Sequence, residues 1–168
     1  MRVVTYTERP DLVERISEIG EVWPEFLYHA DVPELHWAKV RDEFPGLQLV
    51  LYDDERDAVV GRGQTMPASI RDGLPGGIDD MLERNFGDGP RAEADVLSAA
   101  VAIVDPRRQG EGLSALVIEG MCRIAREAGF PAVSTTCSSG TSVTVRGQSP
   151  TCSQPQSRSS IRAGREKG

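Results

Sequence analysis

The chain has 168 residues, 27 % of them charged and 39 % apolar, with a formal net charge of −7. That length suits one domain with a sizeable core. No run of 18 apolar residues argues for a membrane span, and the acidic balance argues against nucleic acid as a partner.

The first residues, Met1 to Glu8, run directly into a charged segment and do not resemble a secretory signal. Arg2–Thr7 alternates apolar and polar residues and predicts a first strand. Asp11 with Glu14 three residues on has the form of a capping box, and Leu12, Val13, Ile16 and Ile19 supply a helical stripe behind it. A second helix is expected from Pro33, turning Leu35, Trp37, Val40 and Phe44 inward. Leu47–Tyr52 and Ala58–Gln64 predict a hairpin joined through Asp53 to Asp57. A Gly/Pro-rich loop follows over Pro67–Gly77, then a short helix over Ile78–Phe86. Val96–Val104 is the strongest strand in the chain. Behind it, Leu113, Leu116, Val117, Met121, Ile124 and Ala128 recur at helical spacing until Gly129, and Ala132 and Val133 open one more strand.

Chemistry concentrates between that strand and that helix, where Val101 to Ala115 reads VAIVDPRRQGEGLSA. Strand, glycine loop and helix start together aim several backbone N–H groups at one anion, and the helix dipole adds its positive end. Gly110 and Gly112 permit backbone angles that a Cβ would hinder. Arg107 and Arg108 place cationic charge beside the loop. The expected ligand is a pyrophosphate. Gly110, Gly112 and Ala115 also match the letters of a dinucleotide fingerprint, but that motif wants its first glycine almost directly after the strand and an acid about 20 residues on. Neither condition is met, since Phe130 to Thr136 contains no acid.

The loop resembles the acetyl-CoA-binding motif of the GNAT superfamily of N-acetyltransferases, Gln/Arg-x-x-Gly-x-Gly/Ala. Gln109, Gly112 and Ser114 occupy it in one register; Arg107, Gly110 and Gly112 in the other. The first places the central glycine six residues after Pro106 and is preferred. The resemblance covers residues 1–133 and is specific over 96–128. It implies an α/β (α+β) fold with a mixed, mostly antiparallel central sheet flanked by helices, lacking the family's C-terminal strands and helix. It also implies acetyl transfer from acetyl-CoA, as co-substrate and without a metal, to the primary amine of a small molecule or peptide. The diphosphate would rest on Arg107, Arg108, Gln109, Gly110, Glu111, Gly112, Leu113, Ser114 and Ala115, and the pantetheine arm beside Ala102, Ile103 and Val104.

Glu93 and Asp95, entering the main strand, are the nearest candidates for the base that takes the amine's proton. Each is also an ordinary strand-end charge. His29 and His36 fall where the family builds its substrate wall, and Trp23, Phe26, Tyr28 and Trp37 suit an acceptor pocket or plain core packing. Many GNAT enzymes protonate the leaving thiolate with a tyrosine after the fifth strand, whereas Tyr6, Tyr28 and Tyr52 all precede the cofactor loop.

After Val133 the composition changes. Residues 134–168 contain 14 Ser or Thr, no aromatic residue, no Leu and a single acid, and carry +4, leaving −11 on the first 133. Such a segment predicts disorder, with only Thr141–Val145 able to be extended. A shift of reading frame near residues 133–136, or a natural Ser-rich extension, would each produce this change. An incomplete sheet with unpaired edges predicts self-association. Cys122, Cys137 and Cys152 are odd in number and lack metal-type spacing, which points to a reducing, cytoplasmic setting. Two further readings stay open: an inactive fragment with weak CoA binding, and an acidic interaction module whose glycine loop is structural.

Overall fold

The computed structural model describes residues 1–20, 31–71, 73, 75–87, 93–136 and 142–146. The strands are β1 (Arg2–Thr5), β2 (Leu49–Asp53), β3 (Ala58–Ala68), β4 (Val96–Val104), β5 (Ala132–Thr136) and β6 (Ser142–Arg146). The helices are α1 (Asp31–Glu43), α2 (Ile78–Phe86) and α3 (Leu113–Glu127). All six strands pair in chain order. Every pairing is antiparallel except β4 with β5, which is parallel and joined by α3. A parallel pair needs such a crossover, because no tight turn can reverse the chain twice.

Alternation along β2 separates the two faces of the sheet. Leu49 and Leu51 face α3 and pack with Leu113, Val117, Met121 and Ile124. Val50 and Tyr52 point the other way, into a cluster with Tyr6, Leu12, Ile19 and Val59. Farther along that second face, Val40, Met66, Met81 and Leu82 fill the space under α1 and α2. Each fully buried aliphatic side chain of this kind contributes roughly 1.5–3 kcal/mol of transfer free energy. Two glycines let α3 lie close to the sheet. A Cβ on Gly63 would come within 2.9 Å of Leu49 Cγ, and one on Gly61 within 3.1 Å of the Ile103 carbonyl and 3.3 Å of Val117 Cγ2.

The helix over 78–86 and the strand over 96–104 fall where expected. Several other boundaries move, for local reasons. β1 stops at Thr5 because Glu8 folds back, its carboxylate accepting from the Thr5 amide at 2.7 Å. No helix grows from Asp11. Its carboxylate is taken by the Arg9 guanidinium at 2.8 and 2.6 Å, so it caps nothing, and the segment forms two 3-10 turns, Pro10–Leu12 and Glu14–Ile19. Leu12 and Ile19 are buried all the same. α1 begins at Asp31, two residues before Pro33. The turn Pro45–Leu47 delays β2 to Leu49. β3 runs past Gln64 to Ala68, since β4 is long enough to pair with all of it, through Pro67 opposite Leu97. On α3, Leu116 is exposed. At 100° per residue it sits about 100° around the helix from Val117, the middle of the Leu113–Val117–Met121 stripe. β5 crosses the division expected at residue 133, and the short extended stretch anticipated beyond it pairs antiparallel with β5 as β6. Residues 147–168 lie outside the described residues.

Candidate functional site

The site is built where β4 parts from β5. Their parallel pairing is confined to Leu97–Ala99 against Val133–Thr135, although β4 continues to Val104. At the point of parting, the β3–β4 register skips Ala100: Gln64 pairs with Val101 and Thr65 with Ala99. An unpaired extra residue bends a strand and raises its twist. From Ala100 onward β4 is bonded to β3 only among the described residues. Ala102 is exposed there and Ile103 and Val104 are half-buried, which is unusual for the middle of a six-stranded sheet.

The glycine loop leaves the same end of β4. Asp105, 3 % exposed, closes the strand with its amide on the Val60 carbonyl and then turns the chain, its carboxylate accepting from the Arg107 amide at 2.9 Å. Gly110 (φ 89°) and Gly112 (φ 75°) both adopt the left-handed region, and Gly112 is the N-cap of α3. A Cβ at either position would meet nothing within 4 Å, so the requirement is for backbone conformation and the space above the loop is open. No side chain caps α3. Among the described residues, the N–H groups of Gly110, Gly112, Leu113 and Ser114 find no internal acceptor, while the Ala115 amide turns back to the Gly112 carbonyl at 3.1 Å. Gln109, Gly110, Glu111, Gly112, Ser114 and Ala115 are exposed, and Leu113 is buried as the first anchor of the helix. Orphan donors at a helix start, beside a dipole's positive end, have the chemistry that suits an anion.

Both arginines expected beside the ligand are engaged by carboxylates of the protein itself. Arg107 chelates Asp105, with Nε at 2.9 Å from Oδ1 and a terminal nitrogen at 2.6 Å from Oδ2, and reaches the Glu18 carbonyl at 3.3 Å. Arg108 donates to Asp53 at 2.7 Å and to Glu111 at 2.5 Å. Its side chain is 15 % exposed. Asp53 accepts from Arg56 as well, at 2.9 Å. Arg56 and Arg108 together hold the Asp53 carboxyl down to about 2. Arg107 lowers Asp105, and Arg108 lowers Glu111. Three guanidiniums and three carboxylates thus pair off around the loop.

Glu93 and Asp95 lie at the opposite end of β4. Glu93 is exposed and pairs with Arg71 at 3.1 Å; Asp95 accepts from the Ile70 amide at 2.9 Å and lies 3.5 Å from Arg71. Both brace the turn after β3, just before β4 begins, and Asp95 stands six residues from Val101, about 20 Å at 3.3 Å per extended residue. His36 is 6 % exposed and stacks on Phe86 with ring centres 5.7 Å apart, while Trp37 is half-buried against the cluster under α1 and α2. Trp23, Phe26, Tyr28 and His29 lie outside the described residues. The Tyr52 hydroxyl donates to Asp57.

A second polar group on the sheet face opposite α3 has no sequence signal. The Tyr6 hydroxyl is buried and has no hydrogen-bond partner among the described residues. Burial pushes its pKa up against the opposing pull of Arg62 and Arg41. Arg62 is half-buried on β3 and pairs in register with Ile103 of β4. Burial pulls its pKa down, with Tyr6 opposing and Arg41 adding.

No family model matches the chain. A curated relative, the arginine N-acetyltransferase avaD of Aspergillus versicolor, is 26 % identical over 144 residues, covering 77 % of this chain and 50 % of its own. The chain therefore spans about half the length of that relative. Two solved structures share the fold. A GNAT family acetyltransferase from Brucella melitensis in complex with acetyl-CoA superposes with a TM-score of 0.50 at 21 % identity, covering 81 % of this chain and 75 % of that one. The GNAT-like decarboxylase GphF in complex with isobutyryl-CoA reaches 0.58 at 17 % identity, over 80 % and 65 %. The chain thus shares the fold of these GNAT proteins, with its sheet in the order β1 to β6 and β4 parting from β5 beside the glycine loop.

Proposed function

We propose that the chain is an acetyl-CoA-dependent N-acetyltransferase acting on a primary amine. One observation carries this reading: the amides of Gly110, Gly112, Leu113 and Ser114, without an acceptor among the described residues and beside open space at the start of α3. They suit a diphosphate. The free edge of β4 at Ala102, Ile103 and Val104 suits an extended pantetheine arm laid alongside as an added strand. The ligands named for the two solved relatives, acetyl-CoA and isobutyryl-CoA, are both acyl thioesters of this carrier.

In that arrangement the amine nitrogen attacks the thioester carbonyl and the C–S bond breaks. A backbone N–H on the parted stretch of β4 stabilises the developing oxyanion. The CoA thiolate departs, and the amine's proton passes to a base through water. With Glu93 and Asp95 engaged by Arg71, binding without turnover is the second reading. For the acceptor, the cationic influence of Arg62 and Arg41 around the buried Tyr6 hydroxyl favours an amine that also bears a carboxylate. The relative named for arginine has such a substrate in its name. A cytoplasmic location, where acetyl-CoA and free thiols coexist, belongs to the same reading.

Calorimetric titration with CoA tests the site, with Gly112→Asp as control. Wild type is expected to bind, and the variant to lose affinity, because its carboxylate would stand among the donors meant for phosphate. Equal affinity of the two proteins refutes the site. Thiol release from acetyl-CoA then separates transfer from binding alone, using arginine against agmatine, which lacks the carboxylate. Arginine is the expected better acceptor, and equal rates would remove the acceptor assignment.

A further inference from the structure

Between Arg108 and the buried Leu113, the loop has little to hold it. Gln109, Gly110, Glu111 and Gly112 are all exposed. Among the described residues, Glu111 bonds only to Arg108, and Gly112 only accepts from Ala115 within the same turn. One side-chain contact ties this stretch to the body of the sheet. Arg108, gripped on the loop side by Glu111, reaches across 55 positions of sequence to the Asp53 carboxylate at 2.7 Å. Asp53 itself is held firmly at the end of β2: its side chain is 3 % exposed, and Oδ1 accepts from the Glu55 and Arg56 amides at 3.2 and 3.4 Å.

We propose that Asp53 is the positioning residue of the anion-binding loop, setting the direction of the Gly110–Ser114 amides through Arg108 without touching the ligand. The proposal rests on the diphosphate reading for its effect on affinity, but not for its effect on the loop. It assigns Arg108 to bracing rather than to phosphate. A fixed donor array costs less to order when the ligand arrives than a mobile one does. Asp53 also has a plainer role, shaping the β2–β3 turn, and the test must separate the two.

Asp53→Asn does so, because it keeps the oxygen that accepts the two turn amides and removes the charge that holds Arg108 and the exposed Arg56. Hydrogen exchange on the ligand-free protein is expected to speed up at residues 109–114 of the variant and to stay unchanged in the β2–β3 hairpin. CoA affinity should fall about tenfold, the size of effect expected when a contact coupled to a site is lost. Arg108→Met should do the same, and the double variant should be no worse than either single one. Unchanged exchange at 109–114 in Asp53→Asn overturns the proposal. So does an Arg108→Met loss that adds to that of Asp53→Asn, since Arg108 would then contact phosphate itself. If wild type binds no CoA, the transferase reading falls, and the exchange experiment still decides whether Asp53 holds the loop.

Discussion

Asp53 and Asp105 show how much a single carboxylate can organise at a strand end. Each is almost completely buried, each accepts backbone amides, and each holds a guanidinium from the loop. Because the folded pKa of Asp53 is depressed to about 2, its contribution to stability is fully present above the unfolded value, about 3.9. That contribution drains away as pH falls from about 4 toward 2. Thermal unfolding of wild type and Asp53→Asn followed against pH should therefore show a gap at pH 7 that narrows below pH 4. A gap independent of pH would mean that the ionised carboxylate is not the stabilising species. Asp53 was legible in the sequence only as one of several acids in a polar turn, because nothing local connects it to Arg108. The mirror case is Arg108, whose charge was legible while its direction was not.

At the scale of elements, the seating of α3 on the sheet decides where the amides point, since the loop is the first turn of that helix. The seat is made by small residues. Gly61 has the Ile103 carbonyl, Val117 Cγ2 and Leu51 Cβ within 3.4 Å of where a Cβ would stand. Two of those neighbours are a backbone atom and a Cβ, which cannot swing aside. Gly61→Val is accordingly expected to destabilise by about 1–3 kcal/mol through overpacking, read as a lower Tm. A variant as stable as wild type would show that α3 can lift without cost. The helix itself was legible, because Leu113, Val117, Met121 and Ile124 keep the period and Gly129, at φ 82°, ends it. The same reasoning misjudged Asp11, whose side chain found an arginine two residues away before it could find a helix start. Short polar side chains have several partners within reach, and pattern alone does not rank them.

For the whole molecule, an open sheet has two outer strands, β1 and β6. β1 is only four residues long and its Arg2 is paired with Asp54, a modest guard on that edge. β6 comes from the Ser/Thr-rich region and leaves its outer side to whatever follows. Association through such an edge grows with concentration. Light scattering over a hundredfold concentration range is expected to report a rising average mass; a constant monomer mass would show that the edges are covered. No helix among the described residues is long and apolar enough to cross a membrane.

The sequence by itself determined the strand–loop–helix unit and the glycines that shape it, because those depend on residues within a few positions of one another. It also announced the change of character after Val133, since composition needs no fold to be read. Only the tertiary structure decided that Arg108 reaches Asp53, that β4 leaves β5 at Ala100, and that Tyr6 and Arg62 share a face. Each of those facts depends on partners tens of residues apart. Their pairing follows from strand register and helix seating, and a linear pattern carries neither.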